Sequence, residues 1–175
     1  MEISVELIKE LRNLTGVGVN DCRSALKETK GNIEKAIEVL RKKGLETAKK
    51  KQDLVAKQGR VESYIHMGAK LGAMVEINCQ TDFVAKTDEF INFAKEVVMQ
   101  IVAMNPQYIK QEDVPKDLLG KETDAERFYQ THCLLEQPFI KDQSLKIRDR
   151  LHALIAKTGE NIVIRRFARF QLGQE

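Results

Sequence analysis

Tryptophan is absent from this 175-residue chain and aromatic residues make up only 6% of it, which argues against a surface of interleaved aromatics for stacking nucleic-acid bases. Cysteine is scarce as well. Cys22, Cys79 and Cys133 lie far apart, with no Cys-x-x-Cys pair and no histidine at zinc-finger spacing, so no metal site is expected. A sparse, odd set of thiols in a chain beginning Met1-Glu2-Ile3-Ser4, without a basic and apolar leader pattern, points to a reducing cytoplasm. The most apolar run, residues 97–104, is too short to span a bilayer and is interrupted by Gln100, so no membrane association is expected.

What is present is ordinary for a globular protein: 42% apolar and 31% charged residues. The net charge of +3 conceals three blocks. Residues 1–60 carry 14 basic and 9 acidic side chains, residues 61–140 carry 7 and 13, and residues 141–175 carry 8 and 4. An acidic centre repels phosphate, so a charged protein partner fits this pattern better than direct nucleic-acid binding.

Residues 1–44 read as a separate three-helix module. Leu7, Leu11 and Leu14, with Ile8, give the first helix an apolar stripe that ends at Thr15-Gly16. Val19, Cys22, Ala25 and Leu26 mark a second helix, stopped by Gly31. Asn32 caps a third, with Ile33, Ala36, Ile37 and Leu40 inward and Gly44 as its expected terminator. Residues 45–59, with the run Ala48-Lys49-Lys50-Lys51 and no wide apolar stripe, read as a basic linker.

Residues 60–175 read as an antiparallel sheet packed with helices, making the whole chain α+β. Val61, Ser63 and Ile65 precede a turn at 67–70, and Leu71, Ala73, Val75, Ile77 and Cys79 then alternate with polar or small residues, which predicts a hairpin. Phe90, Ala94, Val97, Ile101 and Met104 share one helical face, and Asn105-Pro106 ends that helix. After Pro115 a weak amphipathic pattern through Leu118, Leu119, Ala125, Phe128 and Tyr129 predicts a helix reaching about Gln130. Ser144 is a candidate cap for a helix carrying Ile147, Leu151, Leu154 and Ile155, and the β-forming run 161–170 reads as the last strand.

A search for chemistry returns no catalytic constellation. His66, His132 and His152 stand apart with no nucleophile motif beside them, and Gly16-Val17-Gly18 matches no phosphate-binding loop, so neither an enzyme nor a bound cofactor is expected. Thr81-Asp82-Phe83-Val84 falls where a strand ends and a helix begins. Thr81 or Asp82 can cap that helix with Phe83 stapling it, or Phe83 can be an exposed aromatic beside a charge, the composition of an interface hot spot. Periodicity does not choose between them.

Thr15-Gly-Val-Gly-Val-Asn-Asp-Cys-Arg-Ser-Ala-Leu26 and Glu76-Ile-Asn-Cys-Gln-Thr-Asp-Phe-Val-Ala-Lys86 resemble the two signature segments of the elongation factor Ts family. Asn105-Pro-Gln-Tyr108, Gln137-Pro-Phe139 and Gly159 to Phe167 resemble further family segments, so the likeness covers nearly the whole chain. The resemblance implies a translation elongation factor without chemistry of its own, a guanine nucleotide exchange factor that binds elongation factor Tu in its GDP-bound and nucleotide-free forms. It implies that the N-terminal module is ubiquitin-associated-like and docks on the GTPase domain through Lys9, Arg12, Val17, Gly18 and Val19. It further implies that Thr81, Asp82, Phe83 and Val84 disturb the Mg²⁺ and phosphate site. Two departures stand out: Val19-Asn20 replaces bulky methionines, and the segment between Asp113 and Leu134 is shortened, which leaves room for a homodimer as compensation. Competing expectations are an adaptor that uses the three-helix module alone and RNA binding through the basic ends, the latter marked by a steep salt dependence.

Overall fold

The computed structural model describes residues 3–119 and 124–174. The chain divides into two compact units, one running to Leu54 and joined by Leu151–Asn161, the other formed by Val55–Arg150 and the segment from Ile162 onward.

In the first unit, α1 (Val5–Thr15) begins where the Ser4 hydroxyl accepts the Leu7 N–H at 3.3 Å, and it stops at Gly16, whose φ of +68° suits a residue without Cβ. Helix α2 (Val19–Glu28) follows, and Asn32 caps α3 (Ile33–Lys51) by accepting the Lys35 N–H at 2.9 Å. Leu11, Cys22, Ala25, Leu26, Ala36 and Leu40 make the core of these helices, with Leu7, Ile8, Val17, Ile33 and Ile37 packed around it. Two residues expected in the stripes do not join it: Leu14 and Val19 are exposed.

The third helix does not end at Gly44. Helix α3 spans Ile33–Lys51, so the first part of the expected linker is helical and only residues 52–57 lack regular structure before the first strand. Gly44 has no positive φ to break the helix, and strong helix formers follow it. Ala36, Leu40, Gly44 and Ala48, four apart, form a narrow buried stripe of mostly small residues. At its exit the chain is tied by Asn161, whose buried amide donates to the carbonyls of Gln52 (3.2 Å) and Leu54 (2.7 Å).

In the second unit, β1 (Gln58–Ile65) and β2 (Leu71–Cys79) form the expected antiparallel hairpin. One-turn α4 (Asp82–Ala85) and long α5 (Asp88–Met104) come next. Helix α5 packs against β1 and β2 and buries Phe90, Phe93, Ala94, Val97, Val98, Ile101 and Val102, while Met104 stays exposed. Gln100, the polar break in the apolar run, is fully buried. Its amide donates to Gln137 Oε1 (3.2 Å) and the Pro138 carbonyl (3.0 Å), and its carbonyl accepts the Ile140 N–H (2.9 Å), so the buried amide is satisfied.

Where one helix was expected after Pro115 there are two, α6 (Lys116–Leu119) and α7 (Ala125–His132), and the stretch 120–123 of that expectation lies outside the described residues. Short strands β3 (Pro138–Phe139) and β4 (Asp142–Lys146) pair next. Ser144 lies within β4 rather than capping a helix, because its hydroxyl is taken by Asp142 Oδ1 at 2.6 Å. Helix α8 (Ile147–Thr158) is instead entered through the Lys146 N–H, which donates to Asp149 Oδ2 at 2.9 Å. The last strand, β5 (Val163–Gln171), pairs antiparallel with β2, giving the order β1-β2-β5 and an α+β fold.

Candidate functional site

Two surface features gather the residues singled out by sequence, one in each unit. The first is a tip after β2. The Thr81 hydroxyl accepts the Val84 N–H at 3.4 Å and caps α4, and the Thr87 hydroxyl accepts the Phe90 N–H at 3.3 Å and caps α5. Two caps six residues apart break the chain into a one-turn helix and a long one. Both alternatives for Thr81-Asp82-Phe83-Val84 are therefore partly realised: Thr81 caps, but Phe83 does not staple, since its ring is 79% exposed. Val84 is half-buried, and Ala85 is buried.

Asp82 projects into solvent and meets Lys86, whose Nζ stands 2.7 Å from Oδ2. The hydrogen bond and charge of Lys86 hold the Asp82 carboxyl below the usual carboxylate range, so the tip carries an ionised acid beside a bare aromatic ring.

The second feature is an open groove of about 780 Å³ between α1 and α2. Val5, Ile8, Lys9 and Arg12 line it from α1 and Val19, Arg23 and Lys27 from α2, with Ile3 at its end. Among the described residues, four cations and four aliphatic side chains line it and no acidic side chain does. Lys9, Arg12 and Val19 are thus brought together. Val17 is not: it turns toward the core, and its carbonyl accepts the Cys22 thiol at 3.5 Å. Gly18 stands at the start of α2 in extended conformation. Arg23 and Lys27 escaped the sequence reading, although Val19, Arg23 and Lys27 recur every four residues and so mark one face of α2.

The histidines stay apart. The His66 ring is exposed, with its Nδ1 3.1 Å from the Tyr64 hydroxyl, and His132 packs 4.5 Å from the Phe128 ring. Among the described residues no group of three or more His, Cys, Asp or Glu could hold a metal ion, and no helix is long and apolar enough to cross a membrane. Burial, with the nearby Asp113 and Glu112 carboxylates, pushes the Cys133 thiol up to about 11, and burial raises Cys22. Both are poor nucleophiles at neutral pH.

Comparison with known proteins converges on one family. The family model described as "Elongation factor TS" matches residues 4–127. The elongation factor Ts of Caldanaerobacter subterraneus subsp. tengcongensis is 49% identical, covering 98% of each chain. That of Thermotoga neapolitana is 44% identical over the full length of both chains, and that of Syntrophus aciditrophicus is 43% identical over 100% of this chain and 98% of its own. The alignment with the first of these runs over 195 positions, more than the 175 residues present, so that relative carries residues this chain lacks. A family model matching most of the chain and relatives 43–49% identical over nearly its whole length agree: the chain belongs to the elongation factor Ts family.

Proposed function

We propose that this protein is a guanine nucleotide exchange factor for elongation factor Tu, that the Thr81–Val84 tip disturbs the partner's Mg²⁺ and phosphate site, and that the groove of the first unit docks the GTPase domain. The observation that carries the reading is Phe83, a bare ring just past the end of β2. A GTPase holds GDP through phosphate-loop amides and Mg²⁺, whose octahedral shell tolerates little displacement, so an inserted ring that shifts those loops weakens nucleotide and metal together. Burying a phenylalanine side chain contributes about 1.5–3 kcal/mol, and about 1.4 kcal/mol is tenfold in affinity, so Phe83 supplies a substantial share of the coupling.

Coupling is reciprocal: the factor by which this protein loosens GDP is the factor by which GDP loosens this protein. Only differential binding drives exchange, and a surface that grips both forms of the partner equally shifts nothing. Lys9 and Arg12 serve the docking groove, where clustered cations raise the encounter rate with an acidic surface. The test is release of fluorescent GDP from preloaded elongation factor Tu. Wild type accelerates release, and Phe83→Ala loses most of that acceleration while its circular dichroism is unchanged; a fully active Phe83→Ala variant refutes the wedge.

Pairing of two copies is supported by one sheet face. Ile65 and Phe170, 65% and 70% exposed, flank Gly72 across the three strands, and exposed Met74 lies in the next row between Ser63 and Ala168. The charges beside them, Glu76 and Arg166, satisfy each other at 2.7 Å, so two such faces meet without like-charge repulsion.

A further inference from the structure

We propose that Lys86 is a positioning residue of the exchange tip, its side chain holding the Asp82 carboxylate at 2.7 Å while its backbone N–H holds the Phe83 carbonyl at 3.3 Å. This rests on the exchange reading above. Helix α4 has four residues, far fewer than an isolated helix needs to persist in water, so the order of the tip depends on its ties. Thr81 supplies the tie at one end, and at the other the Thr87 N–H donates to the Val84 carbonyl at 3.1 Å. Lys86 supplies the tie that reaches the Asp82 side chain, which is expected to enter the partner.

Its side chain is 75% exposed and meets Asp82 alone among the ion pairs of the described residues. Charge gives the contact a second consequence. A lone carboxylate carried toward a bound diphosphate and its metal ligands is repelled, whereas a carboxylate neutralised by an adjacent ammonium approaches without that penalty and surrenders its partner on arrival. The depressed Asp82 titration agrees with this contact.

The experiment compares Lys86→Met, Lys86→Arg, Asp82→Asn and the Asp82→Asn/Lys86→Met double variant in fluorescent-GDP release from elongation factor Tu, with the Asp82 carboxyl titrated by NMR in the free chains. Lys86→Met slows exchange about two- to threefold, the scale of an exposed ion pair, and Lys86→Arg restores it. The double variant is no slower than Asp82→Asn, and the Asp82 titration midpoint rises in Lys86→Met. A wild-type rate in Lys86→Met, an equal loss in the Asp82→Asn background, or an unmoved Asp82 midpoint overturns the positioning role. If wild type itself fails to release GDP the exchange reading falls, and the titration decides the contact separately.

Discussion

A phenylalanine left 79% exposed forgoes about 1.5–3 kcal/mol of burial that a core position would give it. The segment around it is otherwise well satisfied: Thr81 and Thr87 cap the two helices and the Cys79 thiol donates to the Thr81 carbonyl at 3.1 Å. The ring is therefore bare in a locally ordered turn, which is the condition for a preformed binding anchor. The thiols show the opposite assignment. Cys22, Cys79 and Cys133 are buried and form no disulfide, and the raised titration of Cys133, to about 11, keeps it protonated at pH 8. A thiol whose folded value lies above its unfolded value remains unreactive until pH rises toward the folded value. At pH 8 a disulfide exchange reagent should titrate essentially no thiol in the native protein and all three in denaturant; rapid native reaction would show that the core opens.

At the scale of the element, α3 shows why punctuation by glycine misleads. Gly16, Gly31 and Gly159 have positive φ, and glycine at such positions avoids the strain a Cβ would bring. Gly44 does not: it is helical, and a Cβ there would stand 3.5 Å from the His152 carbonyl oxygen, ordinary contact. Alanine therefore fits. Gly44→Ala should stabilise the protein by about 0.5–1 kcal/mol through the unfolded chain's lost freedom, raising Tm by roughly 1–4 °C in calorimetry. A lowered Tm would mean that the contact with α8 is tighter than the geometry allows. The Gln100 network was equally hidden: a glutamine in an apolar run reads as an interruption, yet its amide is what joins α5 to residues 137–140.

For the molecule as a whole, the proposed pairing of sheet faces predicts that light scattering at micromolar concentration gives twice the 20.0 kDa chain mass. Phe170→Glu should return it to the monomer, since the ring is exposed in the single chain and its replacement leaves the core intact. A monomeric wild type removes that proposal and leaves exchange untouched. Much of the architecture was legible in the chain itself: the β1-β2 hairpin, the last strand, expected over 161–170 and found at Val163–Gln171, the cap at Asn32 and the end of α5 at Asn105 all follow from local periodicity and backbone preference. The α+β class and the family signatures were determined there too. Tertiary structure alone decided that Leu151–Asn161 groups with α1–α3, that Arg23 and Lys27 share a groove with Lys9 and Arg12, that Val17 faces inward, and that Phe83 faces out. The physical reason is that a residue's helical or extended preference is set by its neighbours in sequence, whereas its exposure is set by whatever distant segment packs over it.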